Sequence, residues 1–280
     1  MTPMNNASAG PRWAFEGKVA LVTGSARGIG RTIAAAFGGA GARVAVCDIQ
    51  REAAEATVHE LREDGISAEY FPVDLSQRGE PQRMVAAVAE RWGRLDFLVN
   101  NARAGARSGS LEETEDNWDL TLSVGLRAAY FASREAISRM AAHGGGSIVN
   151  IGSVAALLVS LESPAYHAAK AGLMQLTKYL AANSGAQQVR VNSVVPGFIV
   201  QDEHRERYMK DDNAGYRARA ESCHPLGDVG RANDVAEAVL FLCSESAHFI
   251  TGQAIVVDGG FTIQDHWAVM AGAGGAAEGR

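Results

Sequence analysis

Seven short apolar runs alternate with stretches of helical period between residues 18 and 257. The first, at 18–24, reads Lys-Val-Ala-Leu-Val-Thr-Gly and stops at a glycine. The others fall at 42–48, 67–73, 95–100, 147–152, 189–195 and 253–257. Unbroken apolar runs of this length suit parallel strands buried on both faces. The stretches between them predict helices over 31–40, 51–64, 77–92, 115–140, 166–183 and 232–243. Strands alternating with such helices make βαβ units, and right-handed crossovers lay them down as a doubly wound sheet. The expected fold class is therefore α/β: one domain over residues 17–265 with a parallel sheet of about seven strands. Residues 1–16 read as a loose arm, 266–280 as a Gly/Ala tail, and the polar, irregular stretch 201–225 as a lid. Sheets of this kind bind ligands beyond the carboxyl ends of their strands.

Composition narrows the function classes. The 280-residue chain is 47% hydrophobic and 21% charged, as a globular protein is. Its net charge of −6, with no basic stripe, argues against a nucleic-acid partner. No apolar run approaches the 20 or so residues of a membrane span, and the opening ten residues lack a secretory layout. Three cysteines without metal-like spacing fit a reducing, cytoplasmic setting. His143, His167, His204 and His224 do not group with carboxylates at ligand spacing, so no metal is expected.

The chemistry sits where strands end. Thr23-Gly24-Ser25-Ala26-Arg27-Gly28-Ile29-Gly30 follows the first strand and opens a helix. Glycines there allow a tight turn, and a helix N-terminus favours a pyrophosphate. The spacing, G-x-x-x-G-x-G, differs from the common dinucleotide fingerprint, but the strand–turn–helix context is the same. Asp48 ends the second strand, where a carboxylate can accept hydrogen bonds from an adenosine ribose and repel a 2′-phosphate. Arg27 beside the glycines pulls toward NADP. A buried like-charge contact costs several kcal/mol whereas a surface cation gains about 1 kcal/mol, so the expected cofactor is NAD. Asp74 follows the third strand and suits either the adenine amino group or a helix N-cap.

Tyr166 and Lys170 stand four apart on an expected helix and so share a face. Ser153 lies 13 residues before the tyrosine, just past the fifth strand. A tyrosine with a pKa near 10 is a poor base at neutral pH, and a neighbouring ammonium lowers that value. A serine that holds the substrate oxygen completes acid–base chemistry at a carbinol or carbonyl beside a hydride carrier.

Taken together, Thr23–Gly30, Asp74, Asn100-Asn101-Ala102, Ser153, Tyr166 with Lys170, Pro196-Gly197 and the closing Thr251-Gly252-Gln253…Asp258-Gly259-Gly260 carry a resemblance. The chain resembles the single-domain short-chain dehydrogenase/reductase family over residues 17–262. The resemblance implies a Rossmann fold, Tyr166 as proton donor or acceptor, and Lys170 as the group that lowers its pKa and binds the nicotinamide ribose. It implies that Ser153 holds the substrate oxygen. It assigns cofactor contacts to Gly24, Ser25, Arg27, Gly28, Ile29 and Gly30, and to Asp48, Asp74 and Leu75. Further contacts fall to Asn101, Ala102, Tyr166, Lys170, Pro196, Gly197 and Ile199. It also implies a homotetramer or, less often, a homodimer.

Three positions depart from the family. Gly125, in Val124-Gly125-Leu126, replaces an asparagine thought to hold a water linking the lysine to solvent; its missing bulk leaves space for an extra water. Arg103 replaces the glycine of N-N-A-G at the substrate mouth, with Arg107 close behind; it suits an anionic group or a solvated loop. Gln201 replaces a threonine and can hydrogen-bond the nicotinamide amide. Arg103, Ser153, Ala155 and Gln201 are the candidate substrate contacts, and the polar lid points to a polar or carboxylated small molecule with a secondary alcohol or ketone. Three readings follow. They are an NAD-linked alcohol dehydrogenase or ketone reductase, an NADPH-linked 3-oxoacyl thioester reductase, and a cofactor-binding scaffold or redox sensor that turns over little.

Overall fold

The computed structural model describes residues 13–106 and 111–265. In chain order the elements begin with β1 (Val19–Thr23), α1 (Gly28–Gly39), β2 (Arg43–Asp48), α2 (Arg51–Glu63), β3 (Ala68–Pro72), α3 (Glu80–Trp92) and β4 (Phe97–Asn100). There follow α4 (Glu115–Leu122), α5 (Ala128–Ala141), β5 (Gly146–Ile151), α6 (Pro164–Ser184) and β6 (Val189–Pro196). The chain then runs through β7 (Ile199–Val200), α7 (Asp202–Met209), α8 (Ala214–Ser222), β8 (Gly230–Arg231), α9 (Ala232–Cys243) and β9 (Ala254–Val257).

Seven strands form one parallel sheet in the order β3-β2-β1-β4-β5-β6-β9, as the alternating pattern predicts. The order reverses between β1 and β4, so the two loops that follow these strands open a crevice at the switch point. Alternate strand residues face opposite layers. Ala20 and Val22 pack with Val44, Val46, Phe37 of α1, Val58 of α2 and Val239 of α9. Val19 and Leu21 pack with Val85 of α3, Ala132 of α5 and Leu180 of α6. Burial on both faces is why these strands read as unbroken apolar runs.

The structure differs from the sequence reading in several places, among them the starts of α1 at Gly28 and α3 at Glu80 rather than at 31 and 77. Residues 115–140 are not one helix: a π-helical turn at Ser123–Arg127 separates α4 from α5. The lid is not irregular, because it carries α7 and α8. Among their residues only Tyr208 is buried, so neither has an apolar stripe to betray it. The short pair β7–β8 ties the lid's entry to its exit. Finally, α6 starts at Pro164 rather than 166, because the Ser163 hydroxyl accepts the Tyr166 N–H at 3.2 Å and proline suits the first helical position. At the N-terminal boundary Phe15 is buried between Phe37 and Phe97, and Trp13 donates to Glu237 at 3.2 Å. The rest of the expected arm, Arg107 and the tail 266–280 lie outside the described residues. Among the described residues no helix is long and apolar enough to cross a membrane.

Candidate active site

The glycine turn owes its residues to close packing. Gly24 and Gly28 have φ of +63° and +58°, which favour glycine. A Cβ on Gly24 would lie 2.8 Å from the Ala102 Cα, and one on Gly30 only 2.1 Å from the Gly24 carbonyl oxygen. The loop after β4 is pinned against this turn. The Asn101 side-chain amide donates to the carbonyls of Thr23 and Gly24, both at 2.9 Å. The Thr23 hydroxyl accepts the N–H groups of Asn101 at 3.0 Å and Ala102 at 3.1 Å. Helix α1 then begins with no side-chain cap at Arg27, which leaves its first N–H groups to the crevice. Ile29 is half-buried against the core. Ser25 is fully buried, its hydroxyl donating to Val22 at 2.7 Å and accepting from Cys47 at 3.1 Å, so it shapes the turn from within.

Asp48 is 8% exposed at the end of β2. Its carboxylate accepts the Ala26 N–H at 3.0 Å and the Gln50 N–H at 2.9 Å, which couples the acid to the shape of the glycine turn. Arg27 is exposed. Two glycines at positive φ, an uncapped helix start and a carboxylate beside them fit a dinucleotide. Asp74 does not cap the next helix, whose N-cap is Gly79; its carboxylate closes the turn after β3 instead, accepting from the Ser76 hydroxyl at 2.7 Å and from its N–H at 3.0 Å, and the hydroxyl bond holds its carboxyl below the ordinary value. Leu75 is buried beside it.

On the far side of the crevice, the first turn of α6 presents Tyr166 and the second Lys170. Lys170 is 3% exposed, and its Nζ donates to the Ile151 carbonyl at 2.6 Å. The same Nζ lies 5.5 Å from the centre of the Tyr166 ring. Burial, and then the positive charge of Arg103, push the lysine down to about 8. Ser153 sits two residues past Ile151, in extended conformation, with its Oγ accepting the Ala155 N–H at 3.1 Å. The carbonyl that anchors the lysine is thus two residues from the serine. Ala155 is buried, so it shapes the wall rather than lining an open surface.

Arg103 projects over the tyrosine, its guanidinium carbon 5.0 Å from the ring centre. It pairs with Glu162 at 3.4 Å. Gln201, at the start of α7, reaches across the crevice: its Oε1 is 2.5 Å from where a Gly28 Cβ would stand. Pro196 and Gly197 end β6 beside β9, with the Gly197 N–H donating to Val257 at 2.9 Å. Ile199 packs toward Gly230 under the lid.

One feature escaped the sequence reading. A buried polar chain runs beneath the site: the Asn100 amide donates to Ser133 at 3.0 Å and to Asn150 at 2.8 Å, and the Asn150 amide to Thr177 at 2.9 Å. These residues are scattered over the sequence, and only their strand and helix register brings them together. The space for a water expected at Gly125 is there, as a cavity of about 10 Å³ beside Gly125, Asn100, Leu75 and Lys170 with room for about one water. A Cβ on Gly125 would meet only the Ala169 Cβ, at 3.4 Å.

A family model described as enoyl-(acyl carrier protein) reductase matches residues 24–262. The chain is 35% identical over 265 residues to D-threitol dehydrogenase of Mycolicibacterium smegmatis, covering 94% of this chain and 100% of that one. It is 34% identical over 251 residues to a 3-oxoacyl-[acyl-carrier-protein] reductase of Thermotoga maritima, covering 89% and 99%. The structure of a short-chain type dehydrogenase/reductase from Mycobacterium ulcerans superimposes with a TM-score of 0.82 at 31% identity, over 92% of this chain and 95% of that one. The turn between β1 and α1 and the Tyr166–Lys170 helix thus lie within a likeness that runs nearly end to end, and the chain belongs to the short-chain dehydrogenase/reductase family of NAD(P)-dependent oxidoreductases.

Proposed function

We propose that this protein interconverts a secondary alcohol and a ketone on a small polar molecule, with NAD(H) as cofactor. The observation that carries the reading is the buried Lys170 ammonium, held by the Ile151 carbonyl and set 5.5 Å from the Tyr166 ring. A positive charge in a low-dielectric setting favours the tyrosinate over the phenol. Tyr166 then takes the proton from the substrate hydroxyl in oxidation and returns it in reduction. Ser153, fixed by its bond to the Ala155 N–H, holds the same substrate oxygen so that its proton points at the phenol oxygen. A nicotinamide cofactor held at the glycine turn would supply or take up the hydride. Asp48 supports NAD over NADP: it is buried, and a 2′-phosphate beside it would bring a second negative charge to a carboxylate already holding the turn.

The test is Tyr166→Phe, which keeps the ring and removes the proton. Oxidation of the best alcohol from a polyol and hydroxy-acid panel should fall by a factor of about 10²–10⁴ while the variant still binds NAD. A variant that keeps the wild-type rate would end this reading. The NADPH-linked reductase reading draws on the exposed Arg27, and a calorimetric preference for NADP(H) over NAD(H) would put it first.

A further inference from the structure

Two cations meet at the substrate mouth, where Glu113 accepts the Ala165 N–H and Glu162 faces Arg103. Arg103 and Lys170 both flank the Tyr166 ring, at 5.0 Å and 5.5 Å from its centre. The lysine is buried, whereas the arginine side chain is 39% exposed and can be reached from the crevice. The carboxylate that answers Arg103 is Glu162, at 3.4 Å, well beyond the 2.7–2.9 Å or so of a tight charge-assisted hydrogen bond. The two cations feel each other, since Arg103 is one of the causes that depress Lys170. Asp202 and Glu203 at the start of α7 are exposed, where solvent screens them. A guanidinium is a rigid fork of five donors whose geometry matches a carboxylate with two parallel bonds.

We propose that Arg103 receives the carboxylate of the substrate, which is therefore a small hydroxy acid whose reactive alcohol lies within a few carbons of that carboxylate. The inference rests on the dehydrogenase reading above and narrows its substrate class. With Arg103 over the ring and Ser153 holding the reactive oxygen, the acid is gripped at two points and the alcohol is turned toward Tyr166. A guanidinium pairs with phosphate through the same two parallel bonds, so a phosphate ester is the competing probe. Arg103 is a specificity-determining residue here and takes no part in proton or hydride transfer.

Binding is measured by calorimetry on the NAD complex of Tyr166→Phe, which retains the ring under Arg103 without consuming ligand. The probes are lactate, 3-hydroxybutyrate, threonate and gluconate. Each is set against its neutral counterpart: propane-1,2-diol, butane-1,3-diol, threitol or sorbitol. At least one acid should bind on the order of 30-fold more tightly than its counterpart. Adding Arg103→Ala should bring that acid down to the affinity of the neutral probe and leave NAD and neutral binding unchanged. Arg103→Lys should recover part of the difference. The inference is overturned if no acid outbinds its counterpart, or if Arg103→Ala weakens acid and alcohol alike. It is also overturned if sn-glycerol 3-phosphate binds more tightly than every acid with the same dependence on Arg103. Any of these outcomes, alongside a wild-type activity that Tyr166→Phe abolishes, leaves the dehydrogenase reading standing and removes only the hydroxy acid.

Discussion

Lys170 is held at an energetic cost. Its pKa falls from 10.5 to about 8 on folding, chiefly through burial. The folded state therefore binds this proton less readily than the unfolded chain does. The resulting penalty is fully present below pH 8 and is relieved as pH rises from 8 toward 10.5; a shift of this size corresponds to roughly 3 kcal/mol. Lys170→Met removes the buried charge and loses the bond to Ile151. At pH 7 it should unfold at a urea concentration no lower than wild type, while turnover falls by at least about 100-fold. A loss of more than about 2 kcal/mol in the urea unfolding free energy would show that the ammonium is a structural support.

At the scale of elements, two glycines should respond in opposite ways to the same change. Gly30→Ala would drive a Cβ to 2.1 Å from the Gly24 carbonyl oxygen, so the turn must open and NAD affinity should drop at least about tenfold. Gly125→Ala meets only Ala169 at 3.4 Å and adds a better helix former, so thermal stability should hold or rise by up to about 1 kcal/mol. Scanning calorimetry and NAD titration of the two variants check both outcomes. The contrast marks what the sequence makes legible. The seven strands show as apolar runs because both sheet faces are covered, and the G-x-x-x-G-x-G spacing shows because each glycine answers a hard steric demand. Helices α7 and α8 do not show, since Tyr208 is the only buried residue between them. The π-turn around Gly125 has no local signal, because an extra residue per turn leaves the helical period of its flanks intact. The Arg103–Glu162 pair joins two loops 59 residues apart, a relation no spacing rule reaches.

Across the whole molecule, anchoring and chemistry occupy opposite ends of the sheet. At the end away from the crevice, Asp96 accepts from Arg94 at 2.6 Å and 2.8 Å, from the Val19 N–H at 3.0 Å and from Lys18 at 3.2 Å. Burial pushes its carboxyl up, but Arg94, the Val19 N–H and Lys18 together outweigh burial and hold it below 3.8. Its contribution is present above that value and is lost as pH falls through the folded-state pKa. Asp96→Asn should lower the urea unfolding free energy at pH 7 by about 2 kcal/mol and leave kcat/KM unchanged. A change in kcat/KM would mean that strain at this end reaches the site.

The polar chain under the site bears on how the chain finds its fold. Asn100 and Asn150 are direct partners in the β4–β5 ladder, and their amides bond each other in an otherwise apolar interior. Sliding one strand by a single residue would send every side chain to the opposite face. Apolar neighbours on these strands would tolerate the move, since both faces are covered by helices. The two asparagines would not, for each would be left buried with unmet donors and acceptors at a cost of about 1–3 kcal/mol per group. Ser133 and Thr177 extend the penalty to the placement of α5 and α6. The chain thus carries its own check on misaligned pairing, seated directly beneath the residues whose alignment catalysis depends on.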